Sequence, residues 1–182
     1  MIKTLNNNLL QGMTTYLIGP IDFVNDDGVG WRTYFAKICS ELGINITILD
    51  PTNKPKHLGQ EIGIEKTVIR DLIKNGKWNE AHKKMKKIRH YDLRMVDSSD
   101  FLIIYIDIDA FMCGSFDELF LAERQQKPIF MIIKQGKYSI PTWLVSFLKE
   151  NEVFDSVDDC VDHLIKLNSG KIKMDNRWVK LN

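Results

Sequence analysis

FLIIYIDIDAFMCGSFDELFLAERQQKPIFMII, residues 101–133, decides the fold of this chain. The first run, Phe101–Ile106, is apolar throughout, as in a central strand covered on both faces. The stretch 115–126 reads as a helix, and the run over 128–133 reads as a second strand. A strand, helix, strand unit needs a right-handed crossover and gives parallel strands.

The same grammar extends outward. TTYLIGP is a strand, Thr14–Ile18, ended by a Gly-Pro turn. WRTYFAKICSELG places Trp31, Phe35, Ile38 and Leu42 on one helical stripe, with Gly43 as a stop. INITILDP is a strand closed by Pro51. TNKPKHLGQ reads as a loop, EIGIEKTVIRDLIKNG as a helix ending at Gly76, and WNEAHKKMKKIRHYDLRMVDSSD as a longer helix. SIPTWLVSFLKE predicts a helix with Pro141 near its first position. VFDSVDDCVDHLIKL predicts a short strand and a helix capped by Asp155 or Ser156. The order is an α/β fold: a single three-layer domain, doubly wound around a mostly parallel sheet. Residues 1–13 are expected as an N-terminal extension and 14–167 as the domain, with a helical insertion near 52–90. Residues 168–182 are expected as a C-terminal tail whose Trp178 docks on its own core or on a neighbour.

Bulk properties exclude several classes. With 182 residues, 27% charged and net charge +1, no global field argues for nucleic acid or membrane. The apolar runs are too short to span a bilayer, and the N-terminus lacks the core of a signal peptide. The expected setting is cytoplasmic. The three cysteines are far apart and the four histidines share no ligand spacing with them, so neither a disulfide framework nor a metal site is expected. The basic run over 82–90 reads as the solvated face of an amphipathic helix, without interleaved aromatics for base stacking.

In sheets of this kind ligands bind beyond the carboxyl ends of the strands. Gly19, Pro20, Ile21 and Asp22 lie there after the first strand, Asp50, Pro51 and Thr52 after the second, and Asp107 and Asp109 after the third. The first loop has neither GxGxxG nor a P-loop lysine. SFDE, residues 115–118, fits a capping box in which Glu118 bonds back to the Ser115 amide. Acidic groups gather around it: Asp107, Asp109, and Asp92, which falls on the apolar face of the preceding helix. Clustered carboxylates push their pKa values apart. That is the equipment for glycosidic-bond chemistry, in which one carboxylate attacks the sugar and another acid handles the leaving group's proton. Asp107 and Asp109 also fit, weakly, a Mg²⁺-binding pair of a phosphohydrolase.

YLIGPIDF, HYDLRMVDSSDFLIIYIDID and GSFDELFLAERQQKPIF together resemble the nucleoside 2-deoxyribosyltransferase family, including the related deoxynucleoside-monophosphate N-glycosidases. The matching positions are Tyr16, Gly19 and Pro20; Asp92, Leu93 and Asp100; and Gly114, Glu118, Ala122, Lys127 and Pro128. The resemblance implies a flavodoxin-like or Rossmann-like fold, no metal or redox cofactor, and a homo-oligomer in which a neighbour's C-terminal segment completes the site. It implies a covalent deoxyribosyl-enzyme, with Glu118 as nucleophile, Asp92 as the acid that protonates the departing base, and Tyr16 holding Glu118. Gly114 and Ser115 would meet the substrate, Ser115 at a 5′-phosphate. Two departures stand out: Met112 lies where many transferases carry a further carboxylate, and Phe120 replaces a small residue. They motivate the rival reading, a non-catalytic nucleotide or nucleotide-sugar binding protein.

Overall fold

The computed structural model describes residues 7–60 and 62–179. Residues 1–6 of the expected extension, Glu61 at the start of the expected second helix, and 180–182 of the tail lie outside them.

Five strands form one parallel sheet: β1 (Thr14–Ile18), β2 (Thr47–Leu49), β3 (Phe101–Ile106), β4 (Ile129–Ile133) and β5 (Val153–Phe154), in the order β2-β1-β3-β4-β5. The helices are α1 (Val29–Glu41), α2 (Gly63–Lys74), α3 (Trp78–Asp97), α4 (Cys113–Arg124) and α5 (Val157–Asn168). Alternation along the strands explains the layers. Leu17, Phe101, Ile103, Phe130 and Ile132 face the layer of α1 and α5, where they meet Phe35, Cys160 and Leu164. Tyr16, Ile18, Leu102, Ile104 and Met131 face the other layer, where they meet Val96 of α3 and Leu119 of α4. α2 packs on the outside of α3. Each aliphatic side chain so buried contributes about 1.5–3 kcal/mol. The two-sided apolarity of β3 and β4 is what fixes them at the centre.

The chain crosses from β1 to β2 on one side and from β3 to β5 on the other. Strand order therefore reverses between β1 and β3, which opens a crevice beyond their carboxyl ends. At the opposite end, Asp100 accepts a hydrogen bond from the Thr14 amide at 2.7 Å. There also, the Lys127 ammonium donates to the Asp97 carbonyl at the end of α3 at 2.8 Å. These two motif residues tie chain ends together and lie away from the crevice.

Three expectations are corrected. α4 begins at Cys113, not Ser115, behind Met112, and no side chain caps it. The capping box therefore does not form: Ser115 is the third helical residue and Glu118 lies beyond the first turn. The start is fixed instead by burial of Met112 in the core. The helix expected after Pro141 is one 3₁₀ turn, Thr142–Ser146, with Pro141 preceding it; Leu144 is buried while Trp143 and Val145 are exposed, too narrow a stripe to hold a full helix. α5 is capped by Ser156, whose hydroxyl accepts from the Asp159 amide at 3.1 Å. Trp178 docks on the core of its own chain, with ring centroids 5.3 Å from Phe101 and 6.0 Å from Phe130. Leu10 and Met13, ahead of β1, are buried in the same core.

Candidate active site

A cleft of about 560 Å³ lies at the carboxyl ends of β1 and β3. That is the size of a small-molecule site. Its floor is the end of β1 and the turn that follows: Tyr16, Gly19, Pro20, Ile21 and Asp22. One wall is α3, with Met85, Ile88, Arg89, Asp92 and Leu93; the other is the start of α4, with Met112, Gly114, Ser115 and Glu118.

The turn after β1 is built around Arg32 of α1, which is fully buried. Its guanidinium donates to the carbonyls of Leu17 at 3.2 Å, Gly19 at 2.9 Å and Gly28 at 2.8 Å. Asp50, at the end of β2, lies 3.7 Å away. Two glycines make the close approach feasible. Gly28 has φ 68°, and a Cβ there would fall 2.2 Å from the Pro20 carbonyl oxygen. A Cβ on Gly19 would fall 2.9 Å from the Trp31 ring.

At the centre of the cleft the Tyr16 hydroxyl donates to Glu118 Oε1 at 2.8 Å. Burial pushes the phenol well above its ordinary value, and the negative charges of Glu118 and Asp92 push it further, against the pull of Arg32. Tyr16 therefore stays a proton donor to the carboxyl it holds. One oxygen of Glu118 is fixed while its side chain lines open space.

Asp92 is buried in the α3 wall, and the Lys54 ammonium donates to its Oδ1. Burial raises the Asp92 carboxyl above its ordinary value. Lys54, and behind it Arg32, offset part of that rise. The site thus holds a carboxylate gripped by a neutral phenol and, across the cleft, a carboxyl that binds its proton more tightly than usual. Such a pair suits attack by the first and proton donation by the second.

No family model and no curated protein sequence matches the chain. Among solved structures the chain is similar to a 2-deoxyribosyltransferase from the psychrotolerant bacterium Bacillus psychrosaccharolyticus, described as a biocatalyst for nucleoside synthesis. The match has a TM-score of 0.52 at 17% identity and covers 80% of this chain and 88% of that one. At that identity the likeness establishes the fold. The fold is shared, and the chemistry rests on the side chains themselves.

The structure brings Tyr16, Gly19, Pro20, Ile21, Asp22, Asp92, Gly114, Ser115 and Glu118 to one cleft. It sets Asp107 and Asp109 apart. Asp107 faces a neighbouring groove with Trp31, Tyr105 and Lys134. There it accepts from Lys134 Nζ at 2.7 Å and from Gln135 Nε2 at 2.6 Å, and Gln135 also reaches Asp109 at 3.0 Å. Among the described residues no group of His, Cys, Asp and Glu is arranged to hold a metal ion, and no helix is long and apolar enough to cross a membrane. Phe120 does not line the cleft. It packs against Phe116 and Phe147, with centroids 6.2 and 6.3 Å apart.

Sequence reasoning missed Lys54, Arg32 and the rim. Phe23 and Phe111 meet edge to face across the mouth, 6.0 Å apart, and Arg70 of α2 stacks on Phe23 while pairing with Asp22. The signal for Arg32 was its place on the buried stripe of α1, between Trp31 and Phe35. The signal for Lys54 was weaker: a lysine before Pro55, in the segment that follows the carboxyl end of β2.

Proposed function

We propose that this cleft cleaves the N-glycosidic bond of 2′-deoxyribonucleosides or their 5′-monophosphates and passes the sugar to another base or to water. The observation that carries the reading is the Tyr16–Glu118 hydrogen bond at 2.8 Å, inside a cleft whose other wall holds the buried Asp92. A carboxylate oxygen of Glu118 attacks C1′. The C1′–N bond breaks, its electron pair goes to the departing base, and Asp92 supplies the proton that neutralises it. An incoming base or water then attacks C1′, the bond to Glu118 breaks, and Asp92 recovers a proton from the acceptor. Tyr16 keeps Glu118 aimed throughout.

Support for the monophosphate comes from the first turn of α4. Cys113, Gly114 and Ser115 line the cleft, where backbone amides and the helix dipole favour an anion. The reading includes a homo-oligomer whose neighbouring copy closes the site, which sedimentation would detect. Trp178, seated on its own core, is not the closing group in this chain.

Incubation with a panel of deoxynucleosides and monophosphates, with and without an acceptor base, tests the proposal by chromatography. Base release by the native protein and its loss in Glu118→Ala are expected; equal rates in both would sink the mechanism. One observation favours a second reading, a nucleotide-binding protein without catalysis. Met112 presents an apolar side chain to the cleft, where many transferases of the resembled family carry a carboxylate. Such a protein would bind the panel and release no base.

A further inference from the structure

Lys54 belongs to no element that the mechanism uses, yet it is one of the most buried cations in the molecule, with 7% of its surface exposed. It sits in the segment between β2 and the 3₁₀ turn Lys56–Leu58. That segment is built to hold it. Asp50 closes a turn on Thr52, accepting from its amide at 2.8 Å and its hydroxyl at 2.7 Å. Gln60 donates to the Lys54 carbonyl at 2.6 Å, Pro55 follows directly, and the 3₁₀ turn packs against α3. A lysine placed in this way has given up hydration and rotamer freedom. It persists buried because Asp92 Oδ1 accepts from its ammonium. Lys54 does not line the cleft and Asp92 does, so the cation stands behind the carboxyl, on the side away from a substrate.

We propose that Lys54 is a positioning residue for Asp92: it pins one carboxyl oxygen behind the cleft wall and governs how readily the other gives up its proton. The inference rests on the deoxyribosyl reading of the cleft. The charged and titratable groups around Asp92 are Lys54 from the loop after β2, Arg32 from α1, Tyr16 from β1 and, through Tyr16, Glu118 from α4. Tyr16 is a neutral phenol, and Arg32 already donates to three carbonyls. Lys54 is the cation in contact. Without it, burial alone would hold the proton so tightly that the acid would donate poorly at neutral pH.

The test is a titration of Asp92 by carbon-13 NMR of aspartate carboxyl carbons, assigned with Asp92→Asn, in the native protein, Lys54→Met and Lys54→Arg. The Met variant keeps the apolar stem, and the Arg variant keeps the charge should loss of it impair folding. The expected result is a midpoint about 1–3 pH units higher in Lys54→Met, as for loss of an opposite charge in contact, and restored most of the way in Lys54→Arg. In kinetics kcat should fall about tenfold or more with KM nearly unchanged, and the basic limb of the pH profile should move up with the titration. A midpoint that stays put in Lys54→Met overturns the proposal, as does an active variant whose basic limb does not move. If the native protein releases no base from any substrate, the deoxyribosyl reading fails, while the carbon-13 titration still decides whether Lys54 controls Asp92.

Discussion

Two acidic regions flank the end of β3, and they behave oppositely. In the groove, burial pushes Asp107 up, but hydrogen bonds from Lys134, Gln135 and the Asp109 amide outweigh it and hold the carboxyl below its ordinary value. Its cation, Lys134, is half exposed. In the cleft, burial of Asp92 wins over Lys54, and the carboxyl ends above its ordinary value. From spacing alone Asp107 and Asp109, at the end of β3, stood with Asp92 among the candidate acids around Glu118. Neighbouring donors separate them: Asp107 is satisfied by groups that neutralise it, whereas Asp92 is held in a proton-binding state beside open space.

The sharpest contrast is in activity. Glu118→Ala should lower base release by on the order of 10⁴-fold or more, as removal of a nucleophile does, while Asp107→Asn should leave kcat/KM within about threefold. A large loss in the second variant would join the groove to the site and break the comparison. Next, Asp92→Asn should lower kcat by about 10²–10⁴-fold, with less effect on substrates whose base leaves without protonation; steady-state rates on a leaving-group series check this. Tyr16→Phe removes one hydrogen bond to a charged group, worth about 1.5–3 kcal/mol. It should lower kcat by about 10–100-fold while the fold persists, as circular dichroism would show.

Stability gives the smaller effects. Replacing the buried pair by apolar groups, Lys54→Met with Asp92→Leu, should leave the midpoint of urea unfolding unchanged or raise it by about 1–4 kcal/mol equivalent, with activity lost. The exchange Lys134→Met with Asp107→Leu should change stability by less than about 1 kcal/mol. The two carboxyls also differ in the sign of their pH dependence. Asp107, held low in the folded state, contributes stability that is present above the ordinary carboxylate value and lost as pH falls through its lowered one. Asp107→Asn should therefore flatten the acid side of the Tm-versus-pH curve.

Much of this was readable from local pattern. β1 and β3 were legible to the residue because alternation and continuous apolar runs are properties of neighbours in sequence. Asp92 was legible because a carboxylate on a helix's apolar face is a local anomaly. The start of α4 was not: Ser115 and Glu118 match a capping box, but the helix is entered at Met112, three residues before that cap, and only the packed core shows that. Lys54 left only a faint local signal because its meaning lies 38 residues away, at Asp92. Arg32 was legible only as a position on the buried stripe of α1; its role was not, because its partners are backbone carbonyls that any sequence would supply. That Asp107 and Asp109 lie outside the Glu118 cleft was not legible, because the end of a strand fixes which loop a residue occupies and leaves open which side of the sheet its side chain serves.

The central claim is that Glu118, held by Tyr16, forms a covalent bond to C1′ of a deoxyribose. Rapid acid quench of the protein with a 2′-deoxynucleoside or its monophosphate, followed by peptide mass spectrometry, measures it directly. The account predicts one added deoxyribosyl group, or its 5′-phosphate, on the peptide containing Glu118, absent in Glu118→Ala and accumulating when acceptor is withheld. Base release without any adduct on that peptide, or an adduct on another residue, would contradict it.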